Sequence, residues 1–226
     1  MIRFLMLFLI STSAFSQTRS GLDYASDEIR KLQASDAENP GMLWVDQGAA
    51  LFGKECASCH RSVKGIAARY PRVEKEKIVT LEQMVRHRKP AMAYESEEML
   101  ALTSYIAHES RGLPIQNSIK ESDAAKGKSE YFRRRGQMNL SCSHCHDASA
   151  GKKLGEETVS QGQPNGYPAY RLEWQKIGSL HRRLRSCMFG LHAESPPFGS
   201  DLLNQLELYL AWRAQGLQIE SPAVRR

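Results

Sequence analysis

Two stretches of the chain repeat their apolar residues at helical spacing. One begins at Ser96 and the other at Ser200, and in each the apolar side chains return to one face every three or four residues. A serine able to cap a first turn opens both stretches, and Gly112 or Gly216, each suited to end a helix, closes them. The apolar positions are Met99, Leu102, Tyr105 and Ile106 in the first stretch and Leu202, Leu203, Leu206, Tyr209 and Leu210 in the second. The pattern predicts two amphipathic helices.

The ends of these helices resemble each other in sequence. YIAHESRGL begins at Tyr105 and YLAWRAQGL at Tyr209, and both fit Y-[I/L]-A-x-x-x-x-G-L. Between them, the polar stretch 117–128 has the composition of a linker, and the glycine-rich stretch 151–168 that of a loop. The repeat therefore predicts two related helical domains in tandem.

An uncharged, mostly apolar run from Phe4 to Ser16 follows Arg3. Small residues at Ala14 and Ser16 predict a signal peptide over 1–16, cleaved before Gln17. The run is shorter than the roughly 20 apolar residues of a comfortable transmembrane helix, and an uncleaved anchor is the alternative. We expect a periplasmic protein whose mature part has no membrane span.

The chain has 226 residues, of which 41% are hydrophobic and 25% charged, and its formal net charge is +6. This composition is ordinary for a folded protein, and the positive charge favours anionic partners. No nucleic acid partner is expected, because the basic residues are scattered and match no nucleic-acid-binding motif. A small oxyanion or an acidic protein fits the charge equally well.

The motif C-x-x-C-H occurs twice, at 56–60 and at 142–146. It is the covalent attachment signal of c-type haem, because thiols at this spacing reach both porphyrin vinyl groups and the histidine then ligates the iron. The sequence predicts two haem c groups, with Cys56, Cys59, Cys142 and Cys145 as attachment thiols and His60 and His146 as proximal ligands. A single zinc site or a thioredoxin-type redox pair is disfavoured by the wide separation of the pairs and by the missing βαβ pattern.

Together the repeat and the motifs predict an all-α protein. It would hold two cytochrome c-like domains in tandem, each with one haem c, over residues 17–116 and 129–226, joined by the linker 117–128.

The second haem has three candidate distal ligands, Cys187, Met188 and His192. Arg183 precedes Cys187 by one helical turn, so both would share a helix face, and a thiol beside ferric haem and arginines is easily deprotonated. A buried cysteine that acts as a small hydrophobe is the alternative. For the first haem we favour His87, then Met92, while Met84 and Met99 are also available.

The segments RRLRSC and LELYLAWRAQGLQIESPAVR in the second half, and YESEEMLALTSYIAHESRG in the first, resemble the SoxA cytochrome family. The resemblance implies the catalytic subunit of L-cysteine S-thiosulfotransferase. Such a subunit forms a heterodimer with a small mono-haem cytochrome, SoxX, and joins thiosulfate oxidatively to a cysteine of the carrier SoxYZ, with two electrons leaving through haem. It also implies that Cys187 is the active-site cysteine, an axial haem ligand found as a persulfide, and that Arg183 binds the sulfur oxyanion.

The chain departs from the family pattern in two places. Di-haem relatives have a cysteine as distal ligand of the first haem, in the segment matching EQMVRHRKP, where this chain offers His87. His192 stands where relatives tend to carry arginine, so the charge there depends on pH near neutrality.

Three other functions remain open from the sequence. A di-haem electron-transfer protein without its own substrate would use Met188 or His192 as distal ligand. A thiosulfate dehydrogenase would form tetrathionate and need no carrier. A structural subunit of a respiratory complex would have stable haem and no activity on sulfur compounds.

Overall fold

The computed structural model describes residues 17–58 and 60–226. The predicted signal peptide and Cys59 lie outside the described residues. Helices dominate the architecture, and two single-turn 3-10 helices at Gly21–Tyr24 and Ala67–Arg69 accompany them. The α-helices are α1 Asp27–Ala34, α2 Met42–Glu55, α3 Leu81–Arg88, α4 Glu97–His108, α5 Glu121–Phe132, α6 Cys142–His146, α7 Leu180–Gly190 and α8 Asp201–Arg213.

The prediction of an all-α fold is not strictly right, because short strands lie between the helices. They are β1 Arg72–Glu74, β2 Lys77–Val79, β3 Lys153–Leu154, β4 Glu157–Thr158, β5 Ala169–Arg171, β6 Lys176–Gly178 and β7 Ala223–Arg225. Strands β1 and β2 form one hairpin and β3 and β4 another, while β5 lies between antiparallel β6 and parallel β7. Strands of two or three residues are too short to show an alternating pattern in the sequence.

The two helices predicted from the apolar pattern are α4 and α8. Ser96 caps α4 by accepting a hydrogen bond from the backbone N–H of Met99 at 3.2 Å. Ser200 occupies the corresponding position of α8, but its side chain makes no capping hydrogen bond. Both helices end before their predicted glycines, which adopt left-handed backbone conformations in the following turns, with φ of 79° at Gly112 and 85° at Gly216.

Each of these helices crosses an earlier helix at a glycine. A Cβ at Gly48 in α2 would lie 2.1 Å from the Ala101 carbonyl oxygen of α4. A Cβ at Gly127 in α5 would lie 2.0 Å from the Gln205 carbonyl oxygen of α8. Only glycine permits backbones to approach so closely, so the internal repeat extends to a pair of helix crossings.

The repeated turns also contact each other. The Gly112 N–H donates to the Ile219 carbonyl at 2.9 Å, and the Gly216 N–H donates to the Ile115 carbonyl at 3.1 Å. Pro114 and Gln218 form an antiparallel bridge between these hydrogen bonds. The two halves of the chain are therefore joined through their equivalent segments.

Two apolar cores accompany the two helix crossings. The buried members of the first are Phe52, Val63, Val85, Met99, Leu102 and Ile106. Those of the second are Ile119, Ala124, Tyr131, Met188, Leu203, Leu206, Leu208, Tyr209, Leu210 and Ala211. Cys56 packs against the first core and Cys142 against the second, so these two thiols belong to different sites.

The stretch 117–128 is more ordered than the predicted linker, because α5 begins at Glu121 and buries Ala124 and Gly127 against α8. The stretch has many charged residues, and the buried positions of its helical part are only alanine and glycine, so its composition shows no apolar helix face and indicated a loop. The predicted loop 151–168 likewise includes the β3–β4 hairpin. The domain limits stay a prediction, and in the structure the helix α1 packs against β7, where Ile29 meets Val224.

No helix in the described part of the chain combines the length and apolar character needed to cross a membrane.

Candidate haem and thiol site

The second C-x-x-C-H motif forms the single-turn helix α6. Ser141 precedes it and is buried, and its hydroxyl lies 2.7 Å from both Ser143 Oγ and His144 Nδ1. Burial raises the pKa of the Cys142 thiol to about 11, and the nearby Cys187 contributes in the same direction. Cys142 and Cys187 are therefore close together although they are far apart in sequence.

His146 is held by the loop that follows it. Its Nδ1 lies 2.8 Å from the Ser160 carbonyl oxygen, which can only accept, so Nδ1 carries the proton and donates it. A Cβ at Gly162 would lie 2.9 Å from the imidazole ring, so glycine is needed for the loop to approach it. This arrangement fixes the ring and leaves the Nε2 lone pair available to a metal.

Cys187 lies in α7, and its thiol is within hydrogen-bonding reach of the His146 imidazole. Burial opposes ionisation of the Cys187 thiol. The hydrogen bond that His146 donates when its ring is protonated on both nitrogens, and the positive charges of Arg183 and Arg171, outweigh burial, so the pKa of the thiol lies below its usual range. The site therefore makes the thiolate easier to form than at an ordinary cysteine, and the thiolate is the form in which cysteine acts as nucleophile and metal ligand.

These residues fit a covalently bound haem c. Cys142 and Cys145 stand on one helical turn, and the neighbouring His146 imidazole and Cys187 thiol are of the donor types that axial haem ligands require. Cys142 packs against the second core, and so do other partly buried apolar side chains that a porphyrin could contact; among them are Leu180, Leu184, Ala193 and Leu202. The structure thus brings Cys142, Cys145, His146 and Cys187 together, and their assignment to one haem centre stays a prediction.

Arg183 stands one turn before Cys187 and influences its thiol directly. The guanidinium Nη1 lies 3.7 Å from Glu173 Oε1. The same carboxylate oxygen accepts a hydrogen bond from Arg171 Nε at 2.8 Å, so a second arginine stands beside the first. Sequence reasoning missed Arg171 and Glu173, because only the β5–β6 hairpin brings them to α7.

The neighbouring arginines of α7 point elsewhere. Arg182 stacks on the Trp174 ring at 4.5 Å and lies 3.6 Å from Glu95. Arg185 stacks on the Phe198 ring at 4.4 Å. Both guanidinium groups are thus engaged with aromatic rings, unlike that of Arg183.

The two other candidate ligands of the second haem are placed differently from Cys187. Met188 is 4% exposed and belongs to the core shared with α8, because successive residues of a helix point about 100° apart. His192 is exposed and has a left-handed backbone conformation with φ of 54°. Neither contributes to the environment of His146.

The first C-x-x-C-H motif is less completely described. Cys56 caps the C-terminus of α2 and packs against the first core, as do the partly buried Met84 and Met92. His60 and His87 are both exposed, and no hydrogen bond or ion pair joins them within the described residues. The assignment of His87 as a haem ligand stays a prediction.

Helices α3 and α7 occupy equivalent places, each after a short hairpin. Thr80 caps α3 and Ser179 caps α7, and Arg88 follows Thr80 by eight residues as Cys187 follows Ser179. Arg88 therefore stands at the position of Cys187, and His87 is its neighbour. The capping residues Thr80 and Ser179 are a sequence signal for this equivalence. It lies outside the repeated motif that begins at Tyr105 and Tyr209.

The described fold and site define a c-type cytochrome with a free thiol facing an attachment-motif histidine. A family model described as "SoxA/TsdA, cytochrome c domain" matches residues 42–115. The chain is also similar to curated proteins named L-cysteine S-thiosulfotransferase subunit SoxA. The one from Pseudaminobacter salicylatoxidans is 37% identical to it, over 94% of this chain and 82% of the relative. The one from Rhodovulum sulfidophilum is 35% identical, over 93% of this chain and 81% of the relative. The chain belongs to the SoxA family.

A solved structure agrees with this assignment. The crystal structure of SoxXA from P. pantotrophus is similar at a TM-score of 0.87 and 32% sequence identity. The similarity covers 92% of this chain and 87% of the solved one.

Proposed function

We propose that the chain is the catalytic subunit of a haem-dependent L-cysteine S-thiosulfotransferase. It would couple thiosulfate oxidatively to a cysteine of a sulfur-carrier protein. The observation that carries this proposal is the Cys187 thiol, which faces His146 and has its pKa lowered by that imidazole and by Arg183. The names of the SoxA relatives support the same activity.

In this proposal Cys187 carries the transferred sulfur. It would also ligate the haem iron, as His146 would. Haem c, when bound through Cys142 and Cys145, supplies an acceptor for single electrons. The lowered pKa of the Cys187 thiol raises the fraction present as thiolate, which is the reactive form. The Ser160 carbonyl keeps the His146 ring in one tautomer and one orientation.

Arg183 would bind the sulfonate end of thiosulfate. Its guanidinium can donate paired, charge-assisted hydrogen bonds to two oxygens of the anion. The terminal sulfur of the bound anion is then directed towards Cys187, one helical turn away.

The overall reaction balances as follows. The thiol of Cys187 loses its proton, an S–S bond forms between Cys187 Sγ and the terminal sulfur of thiosulfate, and two electrons leave. The carrier thiolate then attacks that terminal sulfur, the bond to Cys187 breaks, and Cys187 leaves as a thiolate. The carrier retains the thiosulfonate, and the exchange step involves no net oxidation.

The remaining parts of the proposal concern cofactors and partners. We infer two haem c groups, with Cys56, Cys59 and His60 holding the first and His87 as its distal ligand. We also infer a SoxX-like mono-haem subunit in a heterodimer, a SoxYZ-like carrier and a periplasmic location. The similarity to SoxXA supports the heterodimer, and the apolar environment of Cys56 supports the first haem.

The test is the Cys187→Ala variant of the haem-loaded protein, assayed with its SoxX-like subunit, the carrier and thiosulfate. We expect turnover to disappear while the haem content, measured by the pyridine haemochrome spectrum, is unchanged. Ser186→Ala is the matched control, because Ser186 is the preceding residue of α7 and belongs to a surface groove. Near-normal turnover of the Cys187 variant would reject the proposal.

A further inference from the structure

The two arginines beside Cys187 share one carboxylate. Arg171 has a side chain only 5% exposed, and its Nε donates to Glu173 Oε1 at 2.8 Å. A buried guanidinium needs a counter-charge, and Glu157 lies farther away at 3.9 Å. Glu173 is therefore the principal counter-ion of Arg171.

The same oxygen of Glu173 holds Arg183 more loosely. The 3.7 Å between Glu173 Oε1 and Arg183 Nη1 is within ion-pair range but too long for a hydrogen bond. Within the described residues, the Arg183 guanidinium donates no hydrogen bond to another group. Its N–H donors are thus available to an incoming anion, while the adjacent carboxylate cancels part of its positive charge.

Glu173 is also accessible from solvent. Its side chain is 47% exposed, and it lies in the turn between β5 and β6. A carboxylate in this place lies near the predicted position of the sulfonate group, and like charges repel each other strongly where water is partly excluded.

We propose that Glu173 is a counter-ion that sets anion affinity, because it holds Arg171 in place and weakens the binding of sulfur oxyanions at Arg183. This inference rests on the proposed function, since it concerns the anion that Arg183 would bind. Weak anion binding suits a site whose product is itself anionic, because a tightly bound thiosulfonate would leave slowly.

The test is calorimetric titration of thiosulfate into the haem-loaded full chain, for the wild type and for Glu173→Gln. The amide oxygen of glutamine still accepts the hydrogen bond from Arg171, so the variant removes the charge and keeps the contact. We expect thiosulfate to bind about fivefold or more tightly, from the Coulomb energy of one charge removed at this range. Glu156→Gln is the control, because Glu156 is 77% exposed and pairs with Arg226.

A second variant separates charge from support. Glu173→Ala removes the acceptor of Arg171 as well as the charge, and we expect it to bind thiosulfate more tightly than the wild type but less tightly than Glu173→Gln, because Arg171 is no longer held in place. Unchanged or weaker binding in Glu173→Gln would overturn the inference and leave Glu173 as a support for Arg171 alone. The absence of binding to every variant would overturn it as well.

Failure of this inference and failure of the proposed function give different results, because one is measured by thiosulfate binding and the other by transfer to the carrier. If Glu173→Gln binds thiosulfate more tightly but the wild type shows no transfer to the carrier, the inference stands and the proposed function fails. If transfer occurs, the same variant should show a lower KM for thiosulfate without a higher kcat.

Discussion

At the scale of single residues, the chemistry of the site depends on opposing effects at Cys187. Burial alone would keep the thiol protonated, as it does at Cys142, whose pKa is raised to about 11. Cys187 differs because its neighbours His146 and Arg183 lower the pKa of its thiol below the usual range. The same kind of side chain in one protein thus has its pKa raised or lowered according to its neighbours.

Arg183 can be tested against its neighbour on the same helix. Lysine keeps the positive charge but loses the paired donors, so we expect Arg183→Lys to raise KM for thiosulfate about tenfold or more. Arg182→Lys is the control, because Arg182 stacks on Trp174 and should leave KM within about twofold. Steady-state kinetics with the carrier measure both, and equal effects in the two variants would contradict a special role for Arg183.

At the scale of elements, the helix crossings set the architecture around each motif. Gly48 and Gly127 allow α2 to meet α4 and α5 to meet α8 backbone to backbone. The sequence predicted α4 and α8, whose apolar positions are regular, but a glycine within a helical stretch says nothing about which helix it will meet. The partner becomes visible only when both helices are placed.

We expect Gly127→Ala to destabilise the protein by at least about 2 kcal/mol, because the added methyl group would overlap the Gln205 carbonyl. Gly53→Ala in α2 is the control, since a Cβ there meets nothing within 4 Å. That variant should be neutral or more stable by about 0.5–1 kcal/mol, as alanine favours helix. Urea unfolding of the haem-loaded proteins compares the free energies of unfolding, and similar losses in both variants would contradict the crossing.

At the scale of the whole molecule, a buried cluster of titratable groups joins the two halves. His181 of α7 is 1% exposed, and its Nε2 lies 3.0 Å from Glu207 of α8. Burial raises the pKa of Glu82, in α3, to about 8, and Glu207 and Glu95 add to this while His181 and Arg86 oppose it. Glu82 is therefore protonated at neutral pH and contributes no charge to the contact.

This pKa predicts how stability depends on pH. The folded protein holds the Glu82 proton up to about pH 8, whereas the unfolded chain releases it near 4.5, so the free energy of unfolding should fall between these values. Glu82→Gln keeps a neutral side chain and should show a shallower decrease in urea unfolding from pH 5 to pH 8. The exposed Glu98→Gln should follow the wild type, and an unchanged slope in the Glu82 variant would refute the prediction.

The haem content is a second prediction for the whole molecule. Replacing Cys56 and Cys59 by alanine should remove one haem, and replacing Cys142 and Cys145 should remove the other. Intact-protein mass spectrometry would show two haems in the wild type and one in each variant, and the peptide that contains Cys187 would show whether it carries an extra sulfur. A single haem in the wild type would reject one of the two sites, and the variant that then loses all haem would show which site is occupied.

The two attachment motifs and the two repeated helices can be recognised without any structure. The motif residues are neighbours in the chain, and the apolar spacing of α4 and α8 follows from the helical period, so both are local properties. By contrast, the approach of Cys187 rather than Met188 to His146, and of Arg171 and Glu173 to Arg183, depends on how the folded chain packs. These contacts join segments far apart in the chain, through hairpins too short to leave a pattern, and a linear sequence does not state which distant segments will meet.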